Sequence, residues 1–324
     1  MKKLLILLPI LLILSAKISK AAEQQEPVAP PDTVKVGIYF ISLHDIDFRQ
    51  KEYTVRFWLW FRYKNKAFNF GKNVEVPNAK SIENTDNYSD TSNGETFTLM
   101  KMKCVMKESW QVHNYPFDKQ KLEVHIENSQ YDSRSLVFVA DTSGKHFDPE
   151  LTIAGWDISK VDVVTGLRGY ETTFGDVTLP SPHSDYASFT VDMYIERNAW
   201  GLFFKLFLCM YVSFFISYMC FFIHADSIES RFGLSVGSLF AAVGNKYIID
   251  SILPESSTFT LVDSLHAFTF VAILITIILS VYSLSLSKTN KLKRANKIDK
   301  QSAKVLLILY LFLNIVFILK AIIG

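Results

Sequence analysis

Cysteine is scarce: 324 residues carry three. Cys209 and Cys220 lie in an apolar run and Cys104 in a strand-like segment, so they supply no disulfide framework and no CxxC metal pattern. They read as buried thiols acting as small hydrophobes. An excess of charge is also missing. Lys and Arg number 34 against 32 Asp and Glu, a formal net charge of +2, which excludes a globally basic nucleic-acid footprint. There is no P-loop, HExxH, GxSxG or dinucleotide fingerprint. The seven histidines are dispersed; His113 and His125 are near one another in sequence but read as satisfied strand residues, not a metal site. The expectation is a protein that is not an enzyme and has no cofactor. No internal repeat is evident, and no long helical periodicity occurs between Asp32 and Arg197.

What is present is unevenly spread. Hydrophobic residues make up 49% of the chain and charged residues 20%. The first two thirds mix the two classes, while the last third holds long apolar runs, so a soluble part and a membrane part are expected. The chain opens MKKLLILLPILLILSAKISKAA. Lys2 and Lys3 form a positive start, Leu4 to Leu14 a short apolar run, and Ser19-Lys20-Ala21 a small-x-small cleavage site. Residues 1–21 therefore read as a secretory signal peptide, with a retained anchor as the alternative.

Three apolar segments, Trp200–Ile223, Thr260–Leu286 and Val305–Ile323, each meet the roughly 20 residues needed to cross a hydrocarbon core about 30 Å thick. A fourth, Glu229 to Pro254, is long enough to span but carries Asn245, Lys246 and Asp250. A spanning helix with a polar stripe faces water or other helices, which makes this segment the candidate pore lining. The four spans are placed at about 200–223, 229–252, 260–286 and 304–323. The connection SKTNKLKRANKIDKQSAK is rich in Lys and Arg, whereas SILPESSTFTLVD has neither. The positive-inside rule puts the former connection in the cytoplasm and the N-terminal part outside, in agreement with the signal peptide.

The stretch 22–198 offers short alternating runs: VKVGIYFISL, YTVRFWLWFRY, FTLMKMKCVMK, KLEVHIEN, SLVFVA, ISKVDVV and YASFTVDMYIER. These read as strands, separated by turn-rich pieces such as NAKSIENTDNYSDTSNGE and DTSGKHFDPE. The expected fold is an all-β immunoglobulin-like extracellular sandwich over 22–198 followed by an all-α four-helix transmembrane bundle over 199–324.

Several local strings then resemble the pentameric ligand-gated ion channels, the Cys-loop receptor family. YPFDKQKL, Tyr115 to Leu122, is similar to the family's aromatic-Pro-Phe-Asp loop. The flanking cysteine positions fall on Glu108 and Leu122, as in bacterial members that lack the disulfide. Tyr131-Asp132, Gly155-Trp156, Arg197 before the first span, Pro254 after the second and the Asp47–Trp58 spacing follow in colinear order from about Val34 to Gly324. The pattern departs from the family at Glu75-Val76-Pro77, at Tyr63 in place of a second-strand Trp, and in a first span without proline.

The resemblance implies a homopentameric channel in a bacterial inner membrane, its N-terminal domain outside, binding an unidentified small ligand or ion; that it conducts cations is expected from Glu229. Its partners would be further copies of itself and the lipid bilayer, with no nucleic acid. Carried over, the ligand-binding positions are Trp58, Ile82, Ser129, Tyr131, Phe174 and Tyr186, only partly the aromatic box that holds a cation by its π-faces. The gating interface would be Asp47, Phe117, Asp118, Arg197 and Pro254, with a carboxylate–guanidinium cluster and a meeting of Phe117 with Pro254. Stepping by 3.6 from Pro254 places Gly233, Gly237, Phe240, Gly244, Tyr247 and Ser251 on one face, with Glu229 at the cytoplasmic mouth. A ring of Glu229 favours cations. Gly233-x-x-x-Gly237 reads equally as a helix-packing motif. Lys246 either pairs with Asp250 at i,i+4 or points into the path and favours anions. A non-conducting receptor of the same fold is the rival reading.

Overall fold

The computed structural model describes residues 30–179 and 181–323; the leader read as a signal peptide lies outside the described residues. From Asp32 to Arg197 the chain is built of strands β1 (Asp32–Asp47), β2 (Glu52–Tyr63), β3 (Val74–Glu75), β4 (Ala79–Ser92), β5 (Glu95–Lys107), β6 (Lys119–Asn128), β7 (Leu136–Ala140), β8 (Trp156–Tyr170) and β9 (Ser184–Arg197), with a single helical turn α1 (Phe70–Asn73). They form a five-stranded sheet in the order β4-β5-β2-β1-β7 and a four-stranded sheet in the order β3-β6-β9-β8.

Side chains of a strand point alternately to its two faces. On β2 that rule turns Tyr53, Val55, Phe57, Leu59, Phe61 and Tyr63 inward, and on β5 Met100, Met102, Cys104 and Met106. The opposing sheet contributes Leu122, Val124 and Ile126 from β6 and Phe189, Val191, Met193 and Ile195 from β9, all in one buried core. Each large apolar side chain taken fully from water contributes roughly 1.5–3 kcal/mol, so this double alternation holds the two sheets face to face.

One expectation fails. The turn-rich piece Asn78 to Glu95 is not a connection but mostly β4, a strand exposed along nearly all its length and paired antiparallel with β5. The hairpin closes at Asn93-Gly94, whose φ angles are +53° and +78°. Two positive φ angles give the turn whose twist matches that of paired strands, and Asn-Gly is the dipeptide that adopts it most readily. As an edge strand with no buried face, β4 shows no apolar alternation, and its polar side chains discourage further strand pairing.

Four helices follow: α2 (Ala199–Tyr218), prolonged by a 3-10 turn (Met219–Phe222), α3 (Ile228–Ile252), α4 (Leu261–Lys288) and α5 (Leu292–Ile323). All four are long and apolar enough to cross a membrane. α4 opens with a capping box, Thr260 accepting from the Asp263 N–H while the Asp263 carboxylate accepts from the Thr260 N–H; this satisfies two otherwise orphaned donors. α2, α4 and α5 share a core of Phe214, Ala272, Ala303, Leu306 and Tyr310, joined by Phe221 of the 3-10 turn, with the Phe214 and Tyr310 rings stacked at 3.7 Å. Some polar groups of the bundle pair across helices: Thr269 with Tyr310 at 2.8 Å and Tyr211 with Asn314 at 3.2 Å.

The sandwich meets the bundle through backbone as well as side chains. The Leu261 N–H donates to the His113 carbonyl at 2.9 Å and the Asn198 N–H to the Gly155 carbonyl at 2.9 Å.

Candidate functional site

At the junction, β9 ends at Arg197 immediately before α2. Its guanidinium donates through Nε and Nη2 to the two Asp118 oxygens at 2.7 and 3.2 Å, the bidentate geometry that Arg offers and Lys does not. Asp118 is buried and also accepts from Gln120 Nε2 at 2.6 Å. Aromatic rings close over the guanidinium: Trp156 at 4.0 Å, Phe48 at 4.8 Å and Tyr115 at 5.0 Å to the ring centroids. Burial pushes the Tyr115 hydroxyl up, against the downward pull of Arg197.

The expected cluster of two carboxylates around Arg197 is corrected here. Asp47 makes no ion pair among the described residues; its carboxylate accepts from the Gln50 N–H at 2.7 Å and so closes the β1–β2 turn. Its carbonyl accepts from the Trp110 indole at 2.9 Å. The ring partners of Phe117 are Trp200 at 5.2 Å and Phe203 at 5.5 Å on α2, while Pro254 is half-buried just past α3. A cavity of about 960 Å³ lies at this junction, lined by Leu43, Asp47, Phe48, Arg197, Ser251 and Ile252 among others.

The carried-over ligand positions divide into groups. Phe174 and Tyr186 come together at 6.0 Å, and Tyr170 completes a trio with 5.3 Å to Phe174 and 5.8 Å to Tyr186. Phe174 is 62% exposed at a φ of +49°. Tyr170 was not singled out from the sequence, although its place four residues before Phe174 was a signal. Its hydroxyl donates to both Glu127 oxygens at 3.0 Å, and burial together with that carboxylate pushes it up to about 12. Burial, then Asp132, also raises Tyr186. Glu127 is buried with His125, to which it is hydrogen-bonded. The Arg168 guanidinium lies 5.6 Å over the Tyr170 ring and 3.9 Å from Glu127, so the cation place on that ring is taken by the chain itself.

Tyr131 packs on Phe68 at 4.9 Å, and Ser129 is tied to the Asn73 carbonyl. Trp58 and Ile82 belong to β2 and β4 of the other sheet. Lys101 Nζ stands 5.3 Å over the Trp58 ring, and Ile82 is 44% exposed. Within the chain these two stand on the sheet opposite the trio.

On α3 the face carrying Glu229, Gly233, Gly237, Phe240, Gly244, Tyr247 and Ser251 is exposed at every position. Phe240 is 71% and Tyr247 76% exposed. The opposite face, Arg231, Ser235, Ser238, Ala242 and Ile249, is buried in the bundle. A Cβ built on Gly233, Gly237 or Gly244 meets nothing within 4 Å, so these glycines pack against no other helix of the chain among the described residues. Lys246 bonds Asp250 at 2.5 Å and Asp263 of α4 at 2.8 Å. The sequence points only to Asp250 as a partner of Lys246; Asp263, the second, stands on the neighbouring helix. Beside it, Asn245 donates to the Leu206 carbonyl at 2.9 Å and its oxygen lies 3.2 Å from His266 Nε2, fixing the rotation of α3.

Comparison of the chain with protein-family models and with curated proteins finds no match.

Proposed function

We propose that this chain is one subunit of a homopentameric ligand-gated ion channel, with its sandwich, of immunoglobulin-like type, outside a bacterial inner membrane. It conducts cations and is gated by a small ligand or ion at the extracellular domain. The observation that carries the reading is the uncovered face of α3. Its own subunit leaves Glu229, three glycines, Ser251 and two aromatic residues exposed on a helix of membrane-spanning length. Such a face suits water or neighbouring copies better than lipid tails, Glu229 above all. A ring of copies supplies both. Glu229 would then stand at the cytoplasmic mouth, and Phe240 and Tyr247 would narrow the path by excluding water. With Lys246 held between two carboxylates, the outer end of α3 adds no unpaired positive charge that would repel cations. The Arg197–Asp118 pair, packed where β9 becomes α2, is the element placed to transmit a change in the sandwich to the helices.

The Gly233-x-x-x-Gly237 pair supports a second reading. Unfilled within the subunit, it suits close approach of a neighbouring helix, as in a sealed, non-conducting receptor. The test is native mass spectrometry of the detergent-solubilised protein, then planar-bilayer recording across pH, voltage and ligand panels. A five-fold mass with cation-selective current supports the channel. A five-fold mass without current under any condition supports the receptor. A stable monomer refutes both.

A further inference from the structure

The 32 residues of α5 exceed what a bilayer requires. The apolar part, Val305 to Ile323, spans about 28 Å at 1.5 Å per residue, which already matches a hydrocarbon core of about 30 Å. The roughly three and a half turns before it, Leu292 to Lys304, therefore project past the hydrocarbon. On those turns Ala295, Asp299 and Ala303 are buried, and they continue downward the same stripe as Leu306, Tyr310, Asn314 and Ala321, which faces the bundle. Lys293, Lys297, Lys300 and Lys304 are exposed on the opposite side. At 3.6 residues per turn these four lysines share one stripe, continuous with the exposed Ile308, Phe312, Ile315 and Ile322. The lysines thus stand above the lipid-facing side of the helix, not on its protein side. None of the four forms an ion pair among those found. Lys304 and Lys300 fall at headgroup depth, Lys297 lies within about one Debye length, 8–10 Å, beyond it, and Lys293 lies at the edge of that length.

We propose that Lys293, Lys297, Lys300 and Lys304 dock anionic phospholipid headgroups of the adjoining leaflet, and that the buried Arg231–Asp299 pair ties this docking stripe to α3. Charge complementarity at headgroup height identifies the occupant. Clusters of four or more basic residues beside a membrane span hold anionic lipid through summed Coulomb attraction. The tie is short. Arg231 Nη2 donates to Asp299 Oδ2 at 2.7 Å and to the Ile223 carbonyl at 2.5 Å, and Ser283 Oγ donates to the same Asp299 oxygen at 2.9 Å. Arg231 lies two residues beyond Glu229, and Asp299 lies between Lys297 and Lys300. A pull on the lysine stripe is therefore felt at the start of the helix that carries the uncovered face.

The inference rests on the chain spanning a membrane, not on its conducting, and its test needs no current. The full-length protein is placed in nanodiscs of phosphatidylcholine alone or with phosphatidylglycerol. Hydrogen exchange is followed over Leu292–Lys304 and over the first turns of α3, and bound lipid is counted by native mass spectrometry. The wild type is expected to retain phosphatidylglycerol and to show slowed exchange in both segments. Replacing the four lysines by Gln is expected to weaken that preference on the order of a hundred-fold, whereas the four Lys→Arg replacements preserve it. A Gln set on the sandwich lysines Lys51, Lys64, Lys66 and Lys145 leaves it unchanged. Asp299→Asn keeps the lipid but loses the protection of α3. An undiminished preference in the four-Gln protein, an equal loss in the sandwich control, or equal protection by soluble glycerol phosphate overturns the docking surface. Protection of α3 that survives Asp299→Asn overturns the tie.

Discussion

Arg197 gathers more of the structure around one side chain than any other residue at the junction. Its charge is balanced by a buried carboxylate, its planar faces by three aromatic rings, and its backbone by the step from β9 into α2. Removing one member of a buried ion pair leaves the other charged and unpartnered, a loss of about 3–5 kcal/mol. Asp118→Ala should accordingly lower the thermal midpoint of the purified protein by several degrees. Arg197→Lys, which keeps the charge but loses the fork and the stacking, should fall between that variant and the wild type. A wild-type midpoint for Asp118→Ala would show the pair to be idle. A second residue-level prediction concerns Glu108, whose carboxyl is raised by burial and further by Glu123. The folded state then holds that proton more tightly than the unfolded chain does. The stabilisation is complete below the unfolded carboxyl range, about pH 4, and is lost as pH rises through the raised value. Glu108→Gln removes this slope. Its midpoint should gain on the wild type as pH rises from about 4 through the raised value, and parallel curves would exclude the effect.

At the scale of elements, legibility in the sequence follows burial. Strands β2, β5 and β9 have one face in the core, so their apolar residues alternate and are readable. β4 has no such face and reads as a loop, its Asn93-Gly94 hairpin turn included. The same contrast holds at the candidate site. Arg197 and Asp118 were legible through the local strings around them, whereas Tyr170, Glu127 and Arg168 meet across two strands whose register is set by the β8–β9 and β6–β9 ladders. Asp263 and Asp299 escaped notice because each acts on a residue in another helix, at a sequence distance no local pattern records. The turn itself is testable. A β-branched side chain at Gly94 must adopt a φ near +78°, at a cost of about 1–2 kcal/mol. Gly94→Val should lower stability by that amount and speed hydrogen exchange along β4, with α2 to α5 unaffected. Slowed or unchanged exchange along β4 would mean the turn does not hold the strand.

For the whole molecule the decisive quantity is charge along the uncovered face of α3. At one end stands Glu229, which among the described residues makes no ion pair. At the other, Lys246 is held by Asp250 and Asp263, so one cation meets two carboxylates and that end is also net negative by one. Both ends therefore favour cations if copies of α3 enclose a path, and they act independently because they lie about 25 Å apart at 1.5 Å per residue. Glu229→Gln should move the reversal potential in a salt gradient toward zero by removing one negative ring. Changing Asp250 and Asp263 to Asn together should move it further, because it also releases Lys246 and so converts a net negative end into a positive one. If the proposed path conducts, the three substitutions combined should shift the potential by about the sum of the separate effects, as expected for sites beyond about 10 Å, and carry the selectivity toward anions. Reversal potentials that ignore both ends, in a protein that still conducts, would mean that ions pass elsewhere than along α3.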